Sequence, residues 1–159
     1  MTLPTCSGGC QCGAVRFRIE GPLGSAGICH CRMCQKAFGS WGAALVTVPL
    51  KNLAWTRGHP AEFRSSPIVA RGYCKECGTP LHMHEDGDPN IEIAIGSLDD
   101  PNAVAAFSIQ VGVESKVAWF DSLHSLAPKT TSSDRAPEDL AKLVTLQHPD
   151  HDTDVWPPR

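Results

Sequence analysis

No run of this sequence is apolar and long enough to cross a membrane, and no surplus of basic residues marks a nucleic-acid binder. Fourteen Lys and Arg against seventeen Asp and Glu leave a net charge of −3, which repels a phosphate backbone. The stretch Met1–Cys12 lacks a basic segment followed by an apolar one. No secretory leader is therefore expected, and the cytoplasm is the expected compartment. Helical periodicity is sparse, and nothing repeats beyond recurring pairs of cysteines. At 159 residues the chain has room for one core and little more.

Short β patterns broken by Gly and Pro are plentiful. Val15, Phe17 and Ile19 alternate with Arg16 and Arg18, the mark of a half-buried strand. Ala43–Val48, Glu62–Arg64, Val69–Tyr73, Leu81–His84 and Ile91–Ile95 read as further strands. Turn clusters such as Gly78-Thr79-Pro80 and Asp86-Gly87-Asp88-Pro89-Asn90 separate them. A mainly β fold of short antiparallel strands follows. Helix is expected over Arg32–Phe38 and, near the end, over Pro137–Val144. There Pro137 suits a first helical position, Glu138 and Asp139 favour the positive end, and Leu140, Leu143 and Val144 form a stripe. A β domain is expected over residues 5–128, and a linker, short helix and polar tail over 129–159.

Eight cysteines are unusual in a chain expected in a reducing compartment, where disulfides rarely persist. They read Cys10-x-Cys12, Cys29-x-Cys31-x-x-Cys34 and Cys74-x-x-Cys77, with Cys6 apart. Such spacing turns neighbouring sulfurs toward one centre and suits tetrahedral zinc. Gly13 and Gly78 follow the first and last pairs, letting the chain turn while backbone amides approach the sulfurs. Cys10, Cys12, Cys74 and Cys77 are thus expected to hold a structural zinc. Cys29, Cys31 and Cys34 offer three thiolates and no evident fourth ligand, the pattern of a catalytic zinc with an open position. Two Zn2+ per chain are expected. Cys6, His82 or His84 as a fourth ligand would close the second site. Pairing Cys10 and Cys12 with Cys29 and Cys31 would redistribute the ligands, and the residues alone leave both arrangements open. His30, between two ligands, is expected to face away from the metal.

These motifs resemble the glutathione-dependent formaldehyde-activating family, which also contains centromere protein V-like domains. The likeness lies in Ser7-Gly8-Gly9-Cys10-Gln11-Cys12-Gly13-Ala14-Val15-Arg16-Phe17, in Cys29-His30-Cys31-Arg32-Met33-Cys34-Gln35-Lys36, and in Arg71-Gly72-Tyr73-Cys74-Lys75-Glu76-Cys77-Gly78-Thr79-Pro80-Leu81. A weaker match follows at Glu114–Asp121. The resemblance implies an Mss4-like, or β-tent, fold, with the first cysteine set structural and Cys29, Cys31 and Cys34 at the active centre. It also implies condensation of glutathione with formaldehyde to S-hydroxymethylglutathione, classed in reverse as a carbon–sulfur lyase. The chain departs from the family at Phe107-Ser108-Ile109-Gln110-Val111, where relatives often carry Pro and His, and at Asp121-Ser122-Leu123, a partial form of the closing motif.

Zinc at three cysteines is expected to take a thiol or water as fourth ligand, favouring thiol activation over strong carbonyl polarisation, because three thiolates over-neutralise the ion. The expected partners are a small-molecule thiol and aldehyde, with no nucleic acid and no membrane. The two carboxylates of glutathione would want cations; Arg32, Lys36, Arg71 and Lys116 stand near the motifs, each expected first as a solvated surface charge and only second as a carboxylate clamp. Trp41, Trp55 and Trp119 are expected to pack in the core or at its rim. The His/Asp-rich string Gln147–Asp154 reads as a solvated tail. The alternative class is a non-catalytic, zinc-stabilised protein-binding module, in which a fourth protein ligand saturates the middle cluster.

Overall fold

Alternation sets the strands. In β2 (Arg16–Glu20), Phe17 and Ile19 are fully buried while Arg18 and Glu20 face solvent. The structure, a computed structural model, describes residues 5–104 and 107–156. Its smaller sheet places β2 between β1 (Thr5–Gly9) and β5 (Leu53–Arg57), all antiparallel. The larger sheet runs in the order β10 (Ile109–Val111), β3 (Ala26–Cys29), β4 (Ala43–Pro49), β9 (Asn90–Ala94), β8 (Pro80–Glu85), β7 (Val69–Tyr73), β6 (Ala61–Ser66). Phe17, Ile19, Val46, Val48, Leu81 and Ile93 meet in one core, each contributing roughly 1.5–3 kcal/mol by burial. Trp55 closes its edge with a T-shaped contact on Phe17, centroids 5.7 Å apart.

Three features differ from the sequence expectation. β10 runs parallel to β3, because the connection after β9 is long enough to cross over before pairing. The C-terminal helix stops at Leu140, covering only Pro137–Leu140. Leu143 and Val144 are exposed, so the stripe has no face to bury against, and a single turn gains little alone. The His/Asp-rich tail is also not solvated throughout. His148 is buried, its amide donates to Gln11 O at 2.8 Å, and Trp156 Nε1 donates to Cys12 O at 2.6 Å. Gly13 makes this possible: its φ is +77°, and a Cβ there would lie 2.1 Å from the His148 ring.

The tail joins an ionic network under β2. Arg16, buried, makes two bonds to the Asp99 carboxylate, at 2.5 and 2.7 Å, and reaches Asp152 at 2.9 Å. Burial works to raise the Asp99 pKa, but the bonds from Arg16 and Ser7 outweigh it and hold the carboxyl below its usual range. A depressed folded-state pKa gives stability that is present above the unfolded value and lost as pH falls. Asp99→Asn is therefore expected to cost about 3 kcal/mol in urea unfolding at neutral pH. The difference from the unmodified protein should shrink below about pH 4. A constant difference down to acid pH would contradict this account of the network.

Candidate metal centres

The first centre joins segments remote in sequence. The hook before β2 brings Cys10 and Cys12 together, and the turn between β7 and β8 brings Cys74 and Cys77. Their sulfurs all lie within 4.8 Å of one another, with Cys10–Cys12 at 3.6 Å and Cys12–Cys74 at 3.9 Å. A tetrahedral ion with metal–sulfur bonds of about 2.3 Å, the length zinc makes, separates its sulfurs by about 3.8 Å. The donor set fits such an ion. Val15 N donates to Cys10 Sγ at 3.3 Å, the amide contact a metal-held thiolate attracts. Burial raises Cys77, but hydrogen bonds with Thr79 and the Cys12 backbone bring its pKa down to about 6.

The second centre forms where β3 runs into α1 (Arg32–Phe38). Cys29, Cys31 and Cys34 lie within 4.8 Å of one another, and no fourth His, Cys, Asp or Glu joins them among the described residues. His82, His84 and Cys6 stand in neither group. Cys31 caps the helix, its sulfur accepting from Cys34 N at 3.4 Å. The Cys34 pKa falls to about 5, first through its bond with Cys29 and then, against burial, through Arg71. Arg71 Nη2 sits 3.4 Å from Cys34 Sγ and its Nε donates to Ser65 at 2.9 Å. Its Nη1 is buried with no hydrogen-bond partner among the described residues.

A wrapping segment holds this loop in place. His30 N donates to Val111 O at 2.8 Å, and the Gln35 amide bridges His30 O and Ser115 O at 2.6 and 2.8 Å. Gly112, at φ +65°, passes Cys31 so closely that a Cβ would meet its amide at 2.7 Å. His30 is fully buried beneath the cluster, bonded to Gln110 Oε1 at 3.0 Å and packed on Phe120. Gln35 and Gln110 stood in the sequence only inside the motif stretches, with no role of their own, because an isolated glutamine carries no pattern. Of the candidate cations, only Arg71 touches a cysteine sulfur. Lys116 is paired with Asp121 at 2.8 Å, and Arg32 bonds Gln35. Trp41 packs near His30 and Phe120, while Trp119 is exposed. Among the described residues, no helix is long and apolar enough to cross a membrane.

Two β-sheets carrying one four-sulfur and one three-sulfur group define a β protein with two centres that could hold metal ions. The family model of the glutathione-dependent formaldehyde-activating enzyme matches residues 5–111, and the chain belongs to that family. The matched stretch contains all seven clustered cysteines and ends with β10. A crystal structure of a Rhodobacter sphaeroides protein is similar in fold, with a TM-score of 0.52 and 23% identity. That match covers 64% of this chain and 96% of the other. No curated protein matches the chain.

Proposed function

We propose that the chain is an enzyme joining a thiol, glutathione or a related one, to formaldehyde or another small aldehyde at Cys29, Cys31 and Cys34. Zinc is the proposed ion at both cysteine centres. The observation that carries this reading is the contrast in ligand number. Four sulfurs converge at one centre, three at the other, and the second adjoins a groove. Four protein ligands suit a structural ion, whereas three leave a position for chemistry. Held by Cys29, Cys31 and Cys34, zinc would lower the pKa of a substrate thiol and so supply a thiolate at neutral pH.

The chain's own residues set the charge and the geometry. Three thiolates exceed the charge of a divalent ion by one, and the guanidinium beside Cys34 offsets that excess. In the proposed step the sulfur lone pair forms a bond to the carbonyl carbon, the C=O π pair moves onto oxygen, and the proton released by the thiol ends there. Arg71, bonded to Cys34 Sγ, keeps a fixed positive charge beside the cysteines as negative charge develops on that oxygen. The product is a hemithioacetal, S-hydroxymethylglutathione when the thiol is glutathione, and its cleavage is the reverse, carbon–sulfur lyase reaction.

Measuring zinc per chain and then formaldehyde consumption with and without thiol tests the reading. Two ions and strictly thiol-dependent consumption are expected. Two tightly held ions with no thiol dependence would point to a protein-binding module instead. Arg71→Met should weaken zinc at the second centre by about 10–100-fold in chelator competition and leave the first centre unaffected. Equal weakening at both centres would show that the substitution acts on the fold and not on the Cys34 sulfur.

A further inference from the structure

The groove beside the three-cysteine centre has a volume of about 350 Å3 and lies across one face of the larger sheet. Register explains its lining, since residues two apart on a strand share a face. Cys29 pairs with Val111 of β10, and the next row sets Ile109, Gly27 and Leu45 side by side. The row beyond holds Thr47, Glu92 and Met83. Glu85 and Asp88 continue the lining past Met83 and Glu92. Cys29 thus stands at one end, an apolar stretch in the middle, and three carboxylates at the other. By strand rise the two ends are roughly 13 Å apart along the strands.

The charges are all of one sign. Among the described residues, no Lys, Arg or His lines the groove. Arg71 pairs with Met83 in the sheet, but its guanidinium is turned to Cys34 and Ser65 and lies outside the lining, and Lys116 is engaged with Asp121. Arg32 and Lys36 line a separate depression with Met33 and Phe63 that includes none of the three cysteines. Glu92 is half-buried and tied to Thr47 Oγ1 at 2.9 Å, so its carboxylate is fixed in the groove wall. A thiol ending in carboxylates would meet like charge there, with no cation to hold it.

We infer that this groove takes an elongated thiol with an apolar stem and a positively charged far end, and discriminates against anionic thiols. The inference rests on the thiol-binding reading of Cys29, Cys31 and Cys34 and narrows its thiol, disfavouring glutathione with its two carboxylates in favour of a thiol with a cationic end. The thiolate end lies at the cysteines, the stem along Val111, Ile109, Leu45 and Met83, and the ammonium among Glu92, Glu85 and Asp88.

Three thiols of equal length, 8-amino-1-octanethiol, 8-mercapto-1-octanol and 8-mercaptooctanoate, provide the test, with glutathione as a fourth. Binding to the zinc-loaded full chain is measured by titration calorimetry at low and high salt, and formaldehyde consumption is followed separately. The ammonium thiol should bind about tenfold more tightly than the carboxylate, as a few partly exposed ion pairs would give, and salt should narrow the gap. Glu92→Gln, which retains an acceptor for Thr47, should reduce the ammonium-to-alcohol ratio severalfold, and Glu85→Gln should do so to a smaller extent. Equal binding, no binding, or a preference for the carboxylate or glutathione overturns the inference. If the binding order holds but no thiol supports formaldehyde consumption, the groove assignment stands and the proposed reaction falls. Consumption that favours glutathione has the opposite meaning.

Discussion

Cys74→Ser is expected to leave the chain without a cooperative thermal transition. Cys74 is fully buried, and with Cys10 it belongs to the main core, against residues such as Val15 and Leu81. The proposed structural ion joins the hook before β2 to the turn after β7, so its binding energy is also folding energy. Structural zinc contributes about 10–16 kcal/mol in small zinc-finger peptides. Whole domains are stable by about 5–15 kcal/mol, so losing even part of that contribution is decisive. Serine gives a poor ligand and leaves a hydroxyl in a site built for sulfur, while three thiolates remain close together without full compensation. Circular dichroism through a thermal scan reads the outcome, with chelator added to the unmodified protein as the parallel experiment. A cooperative transition within a few degrees of the unmodified protein in either experiment would remove the ion from its structural role.

How much of this was legible beforehand follows from the range over which each signal acts. The cysteine groups were legible because two sulfurs one or two residues apart already share a direction, and their pairing needed only a common ligand chemistry. β2 was legible because its alternation is local. β10 was not: three exposed residues carry little pattern, and its place depends on pairing with β3 some eighty positions earlier. The acidic end of the groove was hidden for the same reason. Glu85, Asp88 and Glu92 read as ordinary turn and strand polarity until the pairing of β4, β9 and β8, with the turn that carries Asp88, brings them to one groove. His148 misled in the other direction. A polar string near the end of a chain suggests solvation, and only the missing side chain of Gly13 opens the space that buries the imidazole.

Cys31→Ser separates function from folding in a way Cys74→Ser does not. Cys31 is half-buried and packs at the edge of the small cluster around Cys34, Ala43 and Leu45, outside the main core. Its structural duty is to cap α1 by accepting from Cys34 N, a role serine fills as well as any residue. The fold should therefore survive, with a melting temperature within a few degrees of the unmodified protein. The proposed chemistry should not survive, because two thiolates hold the ion weakly and a serine hydroxyl does not replace the third. Thiol-dependent formaldehyde consumption is expected to fall more than a hundredfold, beyond the roughly 10–100-fold effect of changes around a metal's ligands. Zinc content should drop from two ions per chain to one. Cys6→Ser is the matched control, since Cys6 belongs to neither sulfur group and its substitution should spare both readings. Full turnover in a Cys31→Ser protein that has lost its second ion would place the chemistry elsewhere. Loss of turnover with both ions retained would assign the Cys31 sulfur a direct part in the reaction.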